Sequence, residues 1–265
     1  MGLAWERHGS GPPLLLLHGL GHRRQAWQCL LPLLTPHRTV FTVDLPGHGE
    51  SPPLAVGGRP AVQAMAAQVF AFADELGLDR PHVAGNSLGG TLALIAGANG
   101  RAKTVTALSP AGFWATGWQF SYAKAVFQSA QLAGLVLRPL IPRLARGTLG
   151  RYLIDGAFVA SPARMPAGQA ADDAFAFLRA RAAVTAILAE KTTFTQALPP
   201  QVPVTIAWGT KDRLLPPGQA ATARQRLPQA RFVRLPGCGH VPMTDDPGLV
   251  ARVLLDGSST GDEAG

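Results

Sequence analysis

Cysteine is scarce in this chain of 265 residues, and its scarcity excludes several classes of protein. The two cysteines, Cys29 and Cys238, are too few for a disulfide framework, and no Cys/His cluster has the spacing of a zinc site. No Gly-rich phosphate-binding loop accompanies the first predicted strand. The sequence therefore predicts neither a metal nor any other cofactor.

Long apolar runs are also missing. Although 47% of the residues are hydrophobic, no run approaches the roughly 20 apolar residues that span a bilayer. The first residues lack the basic segment, apolar core and cleavage site of a secretory signal. We therefore expect a cytoplasmic protein without stable membrane insertion, large enough to bury a substantial core within one domain.

Acidic residues and lysines are few, whereas arginine is abundant, and the net charge is +8. A basic chain of this kind raises the question of nucleic-acid binding. The excess is local, however, because residues 113–196 contain nine basic and four acidic residues. In residues 138–146 arginine alternates with aliphatic residues, a pattern that suits weak contact with lipid headgroups, an anionic substrate or simply a solvated helix face. We expect no nucleic-acid partner, and the arginine bias is typical of a GC-rich bacterial genome.

Residues 85–90, Gly-Asn-Ser-Leu-Gly-Gly, contain a Gly-x-Ser-x-Gly motif between a predicted strand and a predicted helix. This context places Ser87 on a sharp strand-to-helix turn. Glycines at 85 and 89 fit such a turn, since a side chain there would collide with the opposing backbone. We therefore interpret Ser87 as a nucleophile, with the amide of Leu88 facing the same space at the helix N-terminus.

A serine nucleophile needs a base and a third group that orients the base. Asp212 follows the apolar run 202–207, and His240 follows the extended run 231–235, so both are predicted on loops after strands. Asp212 could instead cap its own loop, and His240 could be a structural loop residue. The order Ser87, Asp212, His240 nevertheless matches the order found with nucleophile elbows.

Four motifs together resemble the α/β-hydrolase superfamily, in particular its branch of serine esterases and meta-cleavage hydrolases, and the resemblance covers nearly the whole chain. Two are the elbow around Ser87 and the Asp212/His240 pair. The other two are Leu-Leu-Leu-Leu-His-Gly-Leu-Gly at 14–21 and Asp-Leu-Pro-Gly-His-Gly-Glu-Ser at 44–51.

This resemblance implies an α/β fold, with a mostly parallel, doubly wound sheet flanked by helices. It also implies an oxyanion hole formed by the amides of Leu20 and Leu88. His18, Asp44 and His48, which lie in the two N-terminal motifs, are then expected to have structural roles.

Residues 111–199 are helical in texture, with apolar residues and arginine at three- and four-residue spacing, and prolines at 139, 142, 162 and 166 divide them into short helices. The resemblance implies a helical cap inserted after the sixth strand, over a core formed by residues 1–110 and 200–256. Phe113, Trp114 and Trp118 are candidates for the substrate pocket, although contacts between cap and core would use the same residues. Residues 257–265 are small and polar, which predicts a disordered tail.

The resemblance implies hydrolysis of a small or medium apolar ester through an acyl-enzyme on Ser87. C–C bond hydrolysis of a meta-cleavage product, an apolar ketone, is the enzymatic alternative, because those enzymes share the triad, the cap position and the elbow sequence. Perhydrolase or acyl-transfer chemistry would use the same three residues, Ser87, Asp212 and His240. A non-catalytic protein that kept this fold only to bind a ligand would not need all three. Serine at position 87 excludes dehalogenase and epoxide hydrolase chemistry, which requires a carboxylate there. No motif indicates the oligomeric state.

Overall fold

Seven strands form one sheet within residues 2–259, the part of the chain that the computed structural model describes. In chain order they are β1 (Trp5–His8), β2 (Pro13–Leu17), β3 (Thr39–Val43), β4 (His82–Asn86), β5 (Val105–Leu108), β6 (Val204–Gly209) and β7 (Arg231–Leu235). Their spatial order is β1-β3-β2-β4-β5-β6-β7, and every neighbouring pair is parallel except β1 with β3. The mostly parallel α/β sheet expected from the sequence is confirmed.

Eleven α-helices connect or flank these strands in the same described residues. They are α1 (Leu31–Leu34), α2 (Ala61–Glu75), α3 (Leu88–Ala98), α4 (Gly117–Val136), α5 (Ile141–Arg146), α6 (Thr148–Asp155), α7 (Ala167–Arg179), α8 (Arg181–Ala189), α9 (Gln219–Arg226), α10 (Pro242–Asp245) and α11 (Pro247–Gly257). Three short 3-10 helices occupy Arg24–Leu30, Arg138–Leu140 and Pro162–Arg164. Of the helices in the described range, none combines the length and apolar character needed to cross a membrane.

The sheet is buried on both faces because its central strands carry apolar residues at consecutive positions. Along β2, Leu14 and Leu16 pack into one hydrophobic cluster, whereas Leu15 and Leu17 pack into another. Helices α2 and α3 contribute to the cluster of Leu15 and Leu17, and α11 contributes to the opposite one. The sheet therefore lies between two helical layers, as in a doubly wound fold.

Strands β2 and β4 are neighbours at the centre of the sheet, with Leu17 opposite Gly85 near their carboxyl ends. The chain continues from β2 to β3 on one side and later crosses to β4 on the other side. The loops that follow β2 and β4 therefore meet where the strand order reverses. In open α/β sheets this switch point is where ligands bind.

The helical insertion, which we define as the residues between β5 and β6, contains α4 to α8. It follows the fifth strand in chain order, so the prediction of the sixth strand was wrong. Only one antiparallel strand, β1, comes before the first parallel strand, β2, in the described residues. Five strands, and not six, therefore precede the insertion. The predicted interruptions are present, because each of the four prolines lies in the first turn of a helix or directly before one: Pro139, Pro142, Pro162 and Pro166.

The predicted disordered tail begins too early. Helix α11 extends to Gly257, and Ser258 is buried beyond it. The Ser258 hydroxyl and carbonyl accept hydrogen bonds from the Arg38 guanidinium, at 3.2 Å and 2.8 Å. Composition alone suggested a solvated segment, but these contacts hold the helix end against β3. Residues 260–265 of that prediction lie outside the described residues.

Candidate active site

Ser87 lies on a sharp turn between β4 and α3. Its backbone has a φ of 55° and a ψ of −117°, and a positive φ is uncommon for any residue with a side chain. The turn is possible because Gly85 and Gly89 lack side chains. A Cβ at Gly85 would collide with the Gly89 carbonyl, and a Cβ at Gly89 would collide with the Leu17 carbonyl. The motif therefore holds Ser87 at the carboxyl end of the central strands, as predicted.

Asp212 and His240 lie on the loops after β6 and β7, and the structure brings them together. Asp212 Oδ2 accepts a hydrogen bond from His240 Nδ1 at 2.8 Å. Asp212 Oδ1 accepts the backbone amides of Leu214 and Leu215, at 3.0 Å and 2.8 Å. A carboxylate fixed in this way holds the imidazole with its proton on Nδ1, which leaves Nε2 as a proton acceptor.

The other ring nitrogen of His240, Nε2, belongs to a side chain that lines the same cavity as Ser87. It is buried and has no hydrogen-bond partner within residues 2–259. Ser87, which is 6% exposed, and His240 line one cavity. A buried acceptor without a donor costs about 1–3 kcal/mol. Such a group in a native protein calls for a functional explanation, and accepting a proton from a nearby hydroxyl is one.

The loop after β2 runs beside the Ser87 turn. A Cβ at Gly19 would lie 3.4 Å from the Cβ of Ser87, so the loop backbone is adjacent to the hydroxyl. Leu20 lines the cavity, and Leu88 is the first residue of α3, where a helix has no internal acceptor for the amide. Within the described chain, neither of these two amides donates a hydrogen bond to the protein.

His18 holds this loop in place from the core. Its Nε2 accepts the Leu45 amide at 2.9 Å, so its ring proton lies on Nδ1, which donates to the Gly19 carbonyl at 2.8 Å. Burial lowers the pKa of His18 well below its usual value, and the ring stays neutral. These contacts agree with the structural role that the resemblance implied.

Asn86 was not singled out by the sequence analysis, although it positions the His240 loop. Its Nδ2 donates to the His240 carbonyl at 2.9 Å and to the Leu108 carbonyl at 3.2 Å. The amide thus joins the strand end before Ser87 to the loop that carries the histidine. Its place directly before Ser87 in the motif was the only available signal.

Asp245 is a second positioning residue that the sequence analysis missed. Its Oδ2 accepts the Gly239 amide at 2.7 Å, next to His240. Its carboxylate also accepts the amides of Ala160 and Ser161 in the helical insertion, at 3.1 Å and 2.9 Å. No sequence signal reveals this role, because the partners are joined only by folding.

A large cavity extends from Ser87 between the sheet and the helical insertion, and with its open mouth it encloses about 1110 Å³. Its wall is mostly aliphatic and aromatic. Apart from His240, the titratable side chains on this wall are His22, Asp155 and Asp173, and no described arginine or lysine lines it. The cavity therefore suits an apolar, uncharged ligand.

A second, smaller cavity also reaches Ser87, and together with its opening to solvent it measures about 550 Å³. Leu88, Trp114, Phe120 and Leu214 are among its lining residues. Ser87 thus contacts two apolar spaces, which is the arrangement a substrate with groups on both sides of its reacting bond requires.

Two carboxyl groups interrupt the apolar wall of the large cavity. Asp173 Oδ1 accepts a hydrogen bond from Arg23 Nε at 2.9 Å, while its Oδ2 and the Oδ2 of Asp155 are buried without partners in the described residues. Burial, together with the neighbouring charge of Asp173, raises the pKa of Asp155 to about 7. The Asp155 carboxyl is therefore partly protonated at neutral pH.

Two of the three aromatic residues predicted for the substrate pocket do not line it. Phe113 is fully buried and packs against Phe194, with ring centroids 5.8 Å apart, so that prediction was wrong. Trp118 is 61% exposed, and that prediction was wrong as well. Trp114 alone lines the smaller cavity, while its Nε1 donates to the Thr192 carbonyl at 2.7 Å. Spacing in the sequence could not separate these three side-chain directions.

No group of three or more potential metal-binding side chains occurs among the described residues. Both cysteines are free, and burial raises the pKa of the Cys238 thiol to about 12. Cys238 is therefore protonated at neutral pH and packs as a small residue beside the His240 loop.

Known proteins resemble this chain along nearly its whole length. It is 30% identical to pimeloyl-[acyl-carrier protein] methyl ester esterase of Xanthomonas campestris pv. campestris, over 93% of this chain and 94% of that protein. The crystal structure of a bacterial membrane phospholipase A matches with a TM-score of 0.74 and 26% identity, over 97% of this chain and 83% of that one.

A third match is 2-hydroxy-6-oxo-6-phenylhexa-2,4-dienoate hydrolase from Rhodococcus sp. strain RHA1, with a TM-score of 0.71. It is 20% identical and covers 96% of this chain and 98% of that one, a likeness of fold alone. Residues 14–253 match the family model for the alpha/beta hydrolase family. Because this match spans most of the chain and agrees with the sheet order and the Ser87 turn, the protein belongs to the alpha/beta hydrolase family.

Proposed function

We propose that this protein is a serine hydrolase that cleaves a carboxylic ester of a small or medium apolar substrate. The observation that carries the proposal is the unpaired, buried Nε2 of His240, a residue that lines the same cavity as Ser87 and whose Nδ1 donates to Asp212. A base oriented by a carboxylate and open toward a serine is what nucleophilic catalysis by serine requires.

In the proposed reaction, His240 Nε2 takes the proton of the Ser87 hydroxyl as its oxygen attacks the ester carbonyl. The amides of Leu20 and Leu88 donate to the oxyanion that develops. Asp212 stabilises the imidazolium, which then gives its proton to the departing alcohol. Water, deprotonated by the same histidine, attacks the acyl-enzyme and releases the acid.

The apolar walls of both cavities support an uncharged substrate. The Xanthomonas relative is a methyl ester esterase by name, which favours ester cleavage. C–C hydrolysis remains the alternative, but the dienoate named for the Rhodococcus enzyme carries a carboxylate. The large cavity offers no described arginine or lysine to such a group and instead presents Asp155 and Asp173. Ester hydrolysis therefore fits the charge of the site better.

We further propose that the helical insertion acts as a cap over Ser87. Thirteen of the residues that line the large cavity belong to α4, α5, α6 or α7, among them Phe127 and Phe177. The cap would select the substrate by size and keep bulk solvent out of the cavity, while the single water that attacks the acyl-enzyme is admitted. A cytoplasmic location stays a prediction.

Labelling with a fluorophosphonate probe, followed by peptide mapping, tests this proposal directly. We expect Ser87 to be modified and p-nitrophenyl esters to be hydrolysed, with a chain-length optimum set by the cavities. Ser87→Ala should lose labelling and turnover, whereas Ser109→Ala should keep both, because Ser109 is buried directly after β5 and lines neither cavity. Labelling without ester turnover would favour C–C hydrolysis or acyl transfer. No labelling of folded wild-type protein would overturn the assignment.

A further inference from the structure

The outer side of the helical insertion carries large apolar side chains in contact with solvent. Leu132, Val136, Leu149 and Leu153 are between 65% and 75% exposed, and Leu140 and Tyr152 are more than two-fifths exposed. Arg138, Arg143 and Arg146 are exposed among them. We call these nine residues the arginine–leucine surface. All nine lie within residues 132–153, and soluble proteins rarely expose so many large apolar side chains in one segment unless that segment has a partner.

Helix α6 shows that the exposure is built into the fold. Leu149, Tyr152 and Leu153 face solvent, whereas Arg151 turns inward. The Arg151 guanidinium donates to the backbone carbonyls of Ala145 and Pro162, at 2.9 Å and 3.2 Å. A helix with its arginine bound inside and its leucines outside has the reverse of the usual amphipathic arrangement.

The charges around these apolar residues have one sign. The sequence contains no aspartate or glutamate between Asp79 and Asp155. Among the described residues, none of the three arginines of the surface forms an ion pair. The surface is therefore apolar with free positive charges. A partner that matches it would be apolar and would carry negative charges.

The large cavity borders the arginine–leucine surface at Leu153. Leu137, Leu144 and Leu153 line the cavity, and Leu153 is 70% exposed while doing so. The same side chain thus belongs to the cavity wall and to the outer surface. A ligand that leaves an apolar phase at this surface would reach the cavity without crossing water.

We propose that the arginine–leucine surface docks on an anionic lipid bilayer. The leucines and Tyr152 would enter the boundary between headgroups and acyl chains, and the arginines would bind phosphate groups. A second copy of this chain fits less well, because a symmetric contact would bring the three arginines of each copy together. An acidic protein would complement the charges, but the exposed leucines would also need a matching apolar face, whereas a bilayer accepts any apolar pattern.

Docking itself does not depend on the proposed function. The corollary that esters dissolved in the membrane enter through the mouth at Leu153 rests on it. The two claims can be tested separately, because binding to vesicles is measured without turnover and hydrolysis is measured with soluble esters.

The test is cosedimentation of Ser87→Ala protein with phosphatidylcholine vesicles, with and without phosphatidylglycerol. We expect binding to the anionic vesicles at low salt and its loss near 0.5 M NaCl, where charges are screened over a few ångströms.

Replacing the three arginines by glutamine should weaken binding by about fivefold for each arginine. The double variant Val136→Ser/Leu149→Ser, whose residues do not line either cavity, should also weaken it by about tenfold or more, from the loss of apolar burial.

A matched control uses another exposed site of the same composition. Val56→Ser/Arg59→Gln changes an exposed valine and arginine before α2 and should bind vesicles like the parent. All variants should keep their circular dichroism and, with Ser87 restored, their rate toward a soluble short-chain ester.

Three results would overturn the proposal. One is the absence of vesicle binding by the parent protein. Another is equal binding by the surface variants and the control. The third is assembly into a dimer, or capture of an acidic acyl carrier protein, that the same substitutions abolish while vesicle binding is absent. Loss of ester turnover with vesicle binding intact would count against the proposed function alone.

Discussion

Asp212 shows at the residue scale how one side chain joins a fold to a reaction. Its Oδ1 is bound by two amides of its own loop, so Oδ2 is left in a fixed position for His240. The sequence analysis weighed loop capping against orientation of the histidine as alternatives for this residue. The structure contains both interactions, one for each carboxylate oxygen.

Substituting Asp212→Asn should lower kcat by about 10⁴-fold, because an amide no longer favours the histidine tautomer with the proton on Nδ1. The fold should persist, since the amide oxygen can still accept the Leu214 and Leu215 amides. Asp246→Asn, at the N-terminus of α11, is the control and should retain activity. Steady-state kinetics with a p-nitrophenyl ester measures both, and near-normal kcat for Asp212→Asn would refute the role.

Asp155 should destabilise the protein as the pH rises. Its pKa is about 7 in the folded protein against 3.8 as the ordinary value, so the folded state binds more protons between these values. The contribution of Asp155 to the free energy of unfolding is therefore highest below about pH 4, and it falls as the pH rises to 7. Asp155→Asn should raise the free energy of unfolding above pH 7 by about 1–3 kcal/mol.

Denaturant unfolding at several pH values measures this effect. The exposed Asp172, which precedes Asp173 in the chain, provides a control, and Asp172→Asn should change stability little at any pH. If Asp155→Asn has the same pH dependence as the wild type, the carboxyl does not titrate as described.

At the scale of elements, the first turn of α3 is packed directly against β2. Gly89 is the second residue of α3, and a Cβ there would meet the Leu17 carbonyl. Gly168 is the second residue of α7, and a Cβ there would meet nothing within 4 Å. The two glycines have the same place in a helix but different surroundings.

Gly89→Ala should therefore lower the free energy of unfolding by about 3 kcal/mol, because backbone must move to admit the methyl group. Gly168→Ala should be neutral or stabilise by up to about 1 kcal/mol through helix propensity. Thermal and urea unfolding of the pair gives the comparison. Equal effects of the two substitutions on the free energy of unfolding would mean that the close contact between α3 and β2 does not determine the cost of a side chain at position 89.

For the whole molecule, stability at acid pH depends on three histidines, of which His18 and His48 are buried and His22 is partly buried. Burial lowers the pKa of His18 and His22, and it lowers the pKa of His48 to about 4. The unfolded chain therefore binds more protons than the folded protein between about pH 6.5 and pH 4. Stability must fall as the pH falls through this window, and the three histidines outnumber Asp155, which acts in the opposite direction.

We expect the free energy of unfolding to drop by about 1–3 kcal/mol for each pH unit between 6.5 and 5. His48→Asn should reduce that slope by about 1 kcal/mol per pH unit, whereas the exposed His37→Asn should leave it unchanged. Urea unfolding curves at closely spaced pH values provide the measurement. A flat profile in the wild type would contradict the neutral state of these rings.

The sequence by itself placed Ser87 on a turn between a strand and a helix, and Asp212 and His240 on loops after strands, while the mostly parallel sheet was implied by the family resemblance. These features depend on short-range patterns: apolar strands, glycines that admit a close backbone contact, and loops that follow strands. The order Ser87, Asp212, His240 then predicted that these residues act together, and parallel strands allow it because they bring their carboxyl ends to one edge of the sheet.

Only the tertiary structure decided which side chains line the cavities and which face solvent. Phe113 and Trp118 are five residues apart in one aromatic stretch, yet one is buried against Phe194 and the other projects into water. The roles of Asp245 and Asp155 were likewise invisible in the sequence, because their environments are made by segments far apart in the chain. Side-chain direction and burial depend on how helices pack around one another, and a one-dimensional pattern does not contain that information.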